Sequence, residues 1–335
     1  MTSEPTSSNL PAQIAEAISG VPKALIPASI KALDRLVGAV VDIPVAWLGQ
    51  KKAKIDAQTQ AYTAVEIAIA NAVSTEAGAT PEIVQQAMNV LVRKEYRKQA
   101  NRNAVGQTAL EELRSTDPES VPPETPESVD DDWLNVFERY AEDASTERMQ
   151  KLWGRVLAGE IRKSGSYSMR TLRFLSEFSQ ADALTFANFC DLSFGDAAPK
   201  ILAIPNDDSD ITDLLYLESS GLIKGVEGLG LERAITFKEN GYSAISENDI
   251  AIVFKGIPGT KCSLKILVIT PLGQELLSLL PARDAKAAAR KVANAYRQPA
   301  IESAYLGRTV NGRVDTSRLE ILWQNSAKSI EDGKE

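Results

Sequence analysis

Apolar residues recur along most of this chain at the spacing of helices, and only in its C-terminal third do they close up into short runs of strand type. Ile26, Ile30, Leu33, Val37 and Val40 fall on one stripe of a helix, with Lys31, Asp34 and Arg35 on the other side. Pro22, Pro27 and Pro44 punctuate this region, so the pattern predicts two short helices over residues 10–47 rather than one rod. Residues 1–9 are polar and read as a disordered lead. An alanine-rich helix is expected from Gln50 to Val73. Thr80-Pro81-Glu82 then supplies an N-cap, a proline at the first helical position and a carboxylate at the positive end of the dipole. Residues 115–130 carry four prolines and several acids with almost no apolar side chains, which marks a linker.

The next block is the most strongly patterned. Ser128 or Asp130 is placed to cap a helix bearing Trp133, Phe137 and Tyr140. Ser145 opens another, with Met149, Leu152, Trp153, Val156, Leu157 and Ile161 on one wide face, ended by a turn at Lys163-Ser164-Gly165-Ser166. Met169, Leu172 and Leu175 mark a third. Ser179 to Asp182 resembles a capping box opening a fourth, with Leu184, Phe186, Phe189 and Cys190 expected inward. Four short helices with short connections predict a bundle over residues 131–199. Beyond Lys200 come a helix to Gly221, strand-like runs at 234–237, 250–254 and 264–269, and a helix capped by Thr270-Pro271. That order over residues 200–282 is similar to a winged helix. Residues 283–335 read as a helical tail, with a turn at Gly307 to Val314 and an apolar patch at Leu319, Ile321, Leu322 and Trp323. The expected fold class is mainly α with a C-terminal α+β part: a helical bundle followed by a winged-helix-like domain.

Composition narrows the chemistry. The 335 residues include no histidine, which removes Ser-His-Asp and Cys-His triads, histidine-ligated zinc and an imidazole base together. Cys190 and Cys262 stand far apart with no paired partner, so neither a metal nor a redox motif is expected and a reducing cytoplasm is the natural setting. The N-terminus lacks the pattern of a secretory signal. The apolar stretch Leu36 to Leu48 is too short to span a bilayer and, if it meets one, lies on it at the inner membrane surface. A net charge of -8 works against broad DNA binding. No metal and no cofactor are expected.

Asp132-Trp133, Met149-Gln150, Leu152-Trp153, Leu157-Ala158-Gly159-Glu160 and Ser168-Met169-Arg170-Thr171-Leu172 together resemble the core of an uncharacterised bacterial family, domain of unknown function 2806. Lys163-Ser164 departs from it where a proline would precede the glycine. More loosely, the layout is similar to abortive-infection alpha-type proteins of phage defence. Neither resemblance implies an established chemistry.

Within the signature, Gln150, Trp153, Glu160, Ser168 and Arg170 are the residues to weigh. Glu160 lies near the apolar face of its helix and wants a partner, and Arg170 is the nearest candidate in sequence. The pair is either a structural tie with a serine cap or an Arg/Glu site for a phosphate or carboxylate ligand. Arg93, Lys94, Arg97, Lys98 and Arg102 form a basic run that is either a solvated face or a contact for anionic lipid, nucleic acid or an acidic partner. Residues 200–281 carry seven basic and eleven acidic side chains, a poor footprint for a phosphate backbone. The Gly225, Gly228 and Gly230 run follows a helix and reads as a turn, not a nucleotide loop. The expectation is a non-enzymatic protein acting through protein or membrane-surface contacts, with a homo-oligomer left open. A DNA-binding regulator and a histidine-free hydrolase are the alternatives.

Overall fold

The computed structural model describes residues 18–37, 81–118, 128–206, 208–227, 230–310 and 312–325. The lead 1–9, the helix expected at 50–73, most of the Leu36 to Leu48 stretch and the middle of the acidic linker lie outside them. Ten α-helices and eight strands are present among the described residues, helices first and antiparallel sheets towards the C-terminus. The chain divides into two units, Met1–Ser176 and Glu177–Glu335.

The first unit is helical: α1 (Ile26–Val37), α2 (Pro81–Arg114), α3 (Asp131–Glu142), α4 (Glu147–Arg162) and most of α5 (Met169–Glu177). Asp130 accepts a hydrogen bond from the Trp133 amide at 2.8 Å, so it, not Ser128, caps α3. The cap of α4 is Thr146, one residue beyond the expected Ser145. The core of the unit is aromatic. Trp133 stacks on Phe137 at 5.0 Å, Phe137 meets Trp153 edge-on at 5.7 Å, and Tyr140 stacks on Trp153 at 5.3 Å. Trp133 also donates its indole N–H to the Tyr167 carbonyl at 2.7 Å.

Two glycines on α4 set how closely its neighbours approach. A Cβ on Gly154 would lie 2.5 Å from the Thr108 Cβ on α2, and one on Gly159 would lie 2.6 Å from the Tyr167 ring. Any side chain at either position would push the helix off its partner.

The second unit begins with α6 (Gln180–Cys190) and continues through β1 (Ala197–Pro199), α7 (Lys200–Ala203), α8 (Thr212–Ser219) and β2 (Ile223–Lys224). There follow β3 (Leu231–Thr236), β4 (Tyr242–Glu247), β5 (Ile250–Gly256), β6 (Lys261–Ile269), α9 (Pro271–Leu277) and α10 (Ala285–Ala295). The unit ends with β7 (Ile301–Val310) and β8 (Arg313–Gln324). In one sheet β6 pairs with β1, β2 and β3; the other has the order β4-β5-β7-β8. One apolar core draws on both sheets and on α10, through Phe237, Ile252, Phe254, Val292, Tyr296, Ile301 and Trp323.

Three expectations are corrected here. The helical tail exists only as α10; residues 301–324 form the β7–β8 hairpin. Pro299 stops a helix, and Ile301 and Ser303 are buried with Glu302 exposed between them, the alternation of a strand. Leu184 points outward at 64% exposure, because it sits on the side of α6 opposite Phe186, Phe189 and Cys190. Finally, the helical block 131–199 is not one unit. The turn after α6 is bound instead to the β part: Arg283 donates to the Cys190 and Ser193 carbonyls, and the Gly195 amide donates to Glu247 at 2.7 Å.

Candidate functional site

The five signature residues lie within the helical unit but do not converge on one cavity. Trp153 is buried among the aromatic rings. Gln150 donates to the Ala144 carbonyl at 3.0 Å and to Asn101 at 3.4 Å, and Asn101 in turn donates to the Glu142 carbonyl at 2.7 Å. Together they satisfy carbonyls left open where α3 ends.

Glu160 is 1% exposed. Its two oxygens accept from the Gly165 amide at 2.5 Å and the Tyr167 amide at 3.0 Å, so the carboxylate holds the turn between α4 and α5 closed. Gly165 itself has a φ of 81°, the left-handed conformation this turn demands. Ser168 accepts from the Thr171 amide at 3.2 Å and caps α5. Arg170 is exposed, and no ion pair joins it to Glu160 among the described residues. The expected Glu160–Arg170 tie is therefore replaced by a carboxylate-to-backbone clasp. Backbone N–H groups five and seven residues along reach the buried carboxylate without bringing a second charge out of water.

The basic run divides in two. Lys98 pairs with Glu142 at 2.6 Å, and Arg102 pairs with Glu138 at 2.7 Å and with Glu142 at 3.5 Å. The hydrogen bond to Glu142 holds the Lys98 ammonium above its ordinary pKa. These two cations serve to fasten α3 onto α2. Arg93, Lys94 and Arg97 are exposed, next to Val90 and Leu91, which are 70% and 53% exposed.

In the second unit a cleft of about 340 Å³ is lined by Ala187, Cys190, Leu277, Leu280, Arg283 and Lys291. Arg283 at its edge is bound to Glu247 at 2.5 Å, with both side chains largely buried. Burial pushes the Cys190 thiol up to about 12, far from a nucleophilic thiolate. Nothing in the letters marks the Arg283–Glu247 pair, since the partners are 36 residues apart in unrelated contexts. Three consecutive amides at the start of the glycine run are occupied already. Gly225, Val226 and Glu227 donate to the Glu218 carboxylate at 2.6, 3.0 and 3.0 Å. Among the described residues no group of acids and cysteines has the arrangement of a metal site. No helix among them is long and apolar enough to cross a membrane.

Residues 85–242 match the family described as Protein of unknown function (DUF2806). The match takes in every signature residue as well as the cationic half of α2. No curated protein and no solved structure matches the chain.

Proposed function

We propose, from the premise that the chain belongs through residues 85–242 to the DUF2806 family, that it is a non-catalytic protein working by surface contact with a protein partner or an anionic membrane. The observation that carries this reading is how the signature is spent. Gln150, Glu160 and Ser168 are bonded to backbone groups of their own unit, and Trp153 is packed in its core. Groups so committed hold helices together rather than face a substrate, and of the five only Ser168 and Arg170 are exposed. The exposed chemistry of that unit lies instead on α2, where Arg93, Lys94 and Arg97 surround Val90.

The layout shared with abortive-infection alpha-type proteins supports an accessory or effector role in phage defence. Plaque counts on a host expressing the chain test it. Wild type should lower plaque numbers, and Arg93→Glu/Lys94→Glu/Arg97→Glu should restore them with the melting temperature unchanged. A host that stays fully sensitive to a broad phage panel would remove the defence role. Flotation with anionic liposomes separates the two kinds of surface: protein that stays at the bottom of the gradient is working through a protein contact.

A second reading takes residues 200–282 as a winged helix that binds DNA, supported by the order α8, β2 to β6, α9. Its electrostatics are poor. Lys200 donates to the Val226 carbonyl, Arg233 pairs with Asp196 and Lys255 pairs with Glu302, so cations of an already acidic region are engaged. Mobility shifts at two salt concentrations test it, and binding that does not weaken with salt would count against it.

A further inference from the structure

We infer that the chain forms a two-fold symmetric dimer through its second unit, in which β4 of one copy pairs antiparallel with β4 of the other, centred on Ala244. β4 is one edge of the sheet β4-β5-β7-β8. The pairing stands whether or not α2 meets a partner.

The parity of the strand decides which of its backbone groups are free. The Gly256 amide donates to the Gly241 carbonyl at 2.9 Å, and the register then runs evenly from Tyr242 opposite Lys255 to Glu247 opposite Ile250. Gly241, Ser243, Ile245 and Glu247 therefore turn their N–H and C=O groups to β5, and Tyr242, Ala244 and Ser246 turn theirs away from it. The Tyr242 amide donates to the Asn240 side chain at 3.1 Å. Among the described residues nothing bonds the amides of Ala244 and Ser246 or the outward carbonyls of this strand, and Tyr242, Ala244 and Ser246 are exposed.

Sheets guard such an edge with charged side chains, proline or a bulge. β4 has no lysine, no proline and no shift of register. The opposite edge is guarded: β8 carries exposed Arg313 and Arg318, and its register against β7 shifts twice.

β4 is also complementary to itself. With Ala244 facing Ala244 of the second copy, Tyr242 faces Ser246 and Gly241 faces Glu247. Ala244 and Ser246 of each copy then both donate across the join, to the Ala244 and Tyr242 carbonyls of the other. A large side chain meets a small one. The one charge of the strand, Glu247, faces a glycine and is already held by Arg283 and the Gly195 amide. A charged peptide would find no counter-charge on this edge.

The surface beside the edge continues over the join. The register places Ala244, Val253, Tyr305 and Ile321 in one row across the four strands, on the face opposite the core residues Ile252, Phe254 and Ala304. A two-fold axis perpendicular to the sheet sets this row end to end with its copy and keeps both cores on one side. The guarded β8 edges lie outermost, so the assembly closes at two copies instead of growing into a fibre. Two short strands make a small interface, and the dimer is a weak one.

Sedimentation velocity on the full chain at about 100 µM tests this. Wild type should show a reversible dimer whose dissociation constant barely changes between about 50 and 500 mM salt, because no ion pair joins the copies. Ala244→Pro removes an outward N–H and leaves the β5 ladder whole. Its dissociation constant should rise at least about a hundredfold, because both central bonds are lost. Should circular dichroism show that variant unfolded, Ala244→Lys takes its place. It sets two ammonium groups face to face and should raise the constant at least about tenfold, more at low salt. Oxidation of single added cysteines reads the register, against native Cys190 and Cys262 that are buried. Ala244→Cys sets two Cα atoms about 5.5 Å apart and should crosslink into a dimer. Ser246→Cys sets them about 14 Å apart and should not. A monomer at about 100 µM, a dimer indifferent to the Ala244 substitutions, or Ser246→Cys crosslinking as fast as Ala244→Cys overturns the inference.

Discussion

Glu160→Ala should cost the helical unit a large part of its stability, and the size follows from the clasp. The wild-type carboxylate accepts two backbone N–H groups in a site that admits almost no water. Truncation leaves both amides without their acceptor, at about 1–3 kcal/mol each. It also removes one buried methylene, worth roughly 0.8 kcal/mol. Allowing for partial relaxation of the turn, the loss is about 3–5 kcal/mol. For a unit of this size each kcal/mol lowers the melting temperature by about 2–4 °C, so the shift is on the order of 6–20 °C. Glu160→Gln keeps one acceptor but turns an amide NH₂ towards the other donor, and should lose about half as much. Arg170→Ala, at an exposed residue, should stay within about 0.5 kcal/mol of wild type. Urea denaturation followed by near-ultraviolet circular dichroism of the Trp133–Phe137–Trp153 cluster reads all three. A Glu160→Ala protein that melts within a degree or so of wild type would refute the clasp, and an Arg170→Ala loss as large would reinstate the ion pair.

Gly159→Ala should destabilise the same unit by about 1–3 kcal/mol, because its Cβ would lie 2.6 Å from a Tyr167 ring that is itself buried; an unchanged urea midpoint would contradict the close approach. Both cysteines are buried and both thiols are pushed up by burial, Cys190 to about 12. A thiol reagent at neutral pH should therefore label neither in the native protein and both in guanidinium, and rapid native labelling would oppose this. Burial works to raise the Asp182 carboxyl, but hydrogen bonds from the Ser179 side chain and amide and from the Tyr216 hydroxyl prevail and hold it below its ordinary value. A depressed carboxylate stabilises the fold above its unfolded value of 3.8 and loses that contribution as pH falls through the folded one. Asp182→Asn should then narrow the gap in stability between pH 7 and acid pH, and an identical acid-unfolding profile would contradict the assignment.

What could be read from the sequence was whatever is decided within one turn of chain. The Ser179–Asp182 capping box, the Thr270 cap with Pro271 behind it and the left-handed Gly165 were all visible, because their partners lie within a few residues. The Glu160 clasp was not: a backbone N–H is present at every non-proline residue, so nothing in the letters marks Gly165 and Tyr167 as its donors. The basic run showed its charge but not its division, since Glu142 is 44 residues from Lys98 and Glu138 is 36 from Arg102. Strands β7 and β8 were hidden by Ala304, Leu306 and three arginines, residues of good helix propensity. Their burial against β5 and α10 overrides that preference. The Asn311-Gly312 pair, a common two-residue hairpin signal, was the one local hint.

The position of that hairpin governs the order in which the two units can mature on the ribosome. Strand β5 leaves synthesis early yet waits for β7, whose residues 301–308 supply its neighbour, and Trp323 from β8 fills the same interior. The described helices of the first unit are all present once α5 has emerged, whereas the β unit holds an open, apolar sheet edge until residues 301–324 are added. Nascent chains stalled before residue 301 should thus be prone to sticking through β5 and dependent on chaperones, while those stalled just past residue 200 should already resist proteolysis in their N-terminal part.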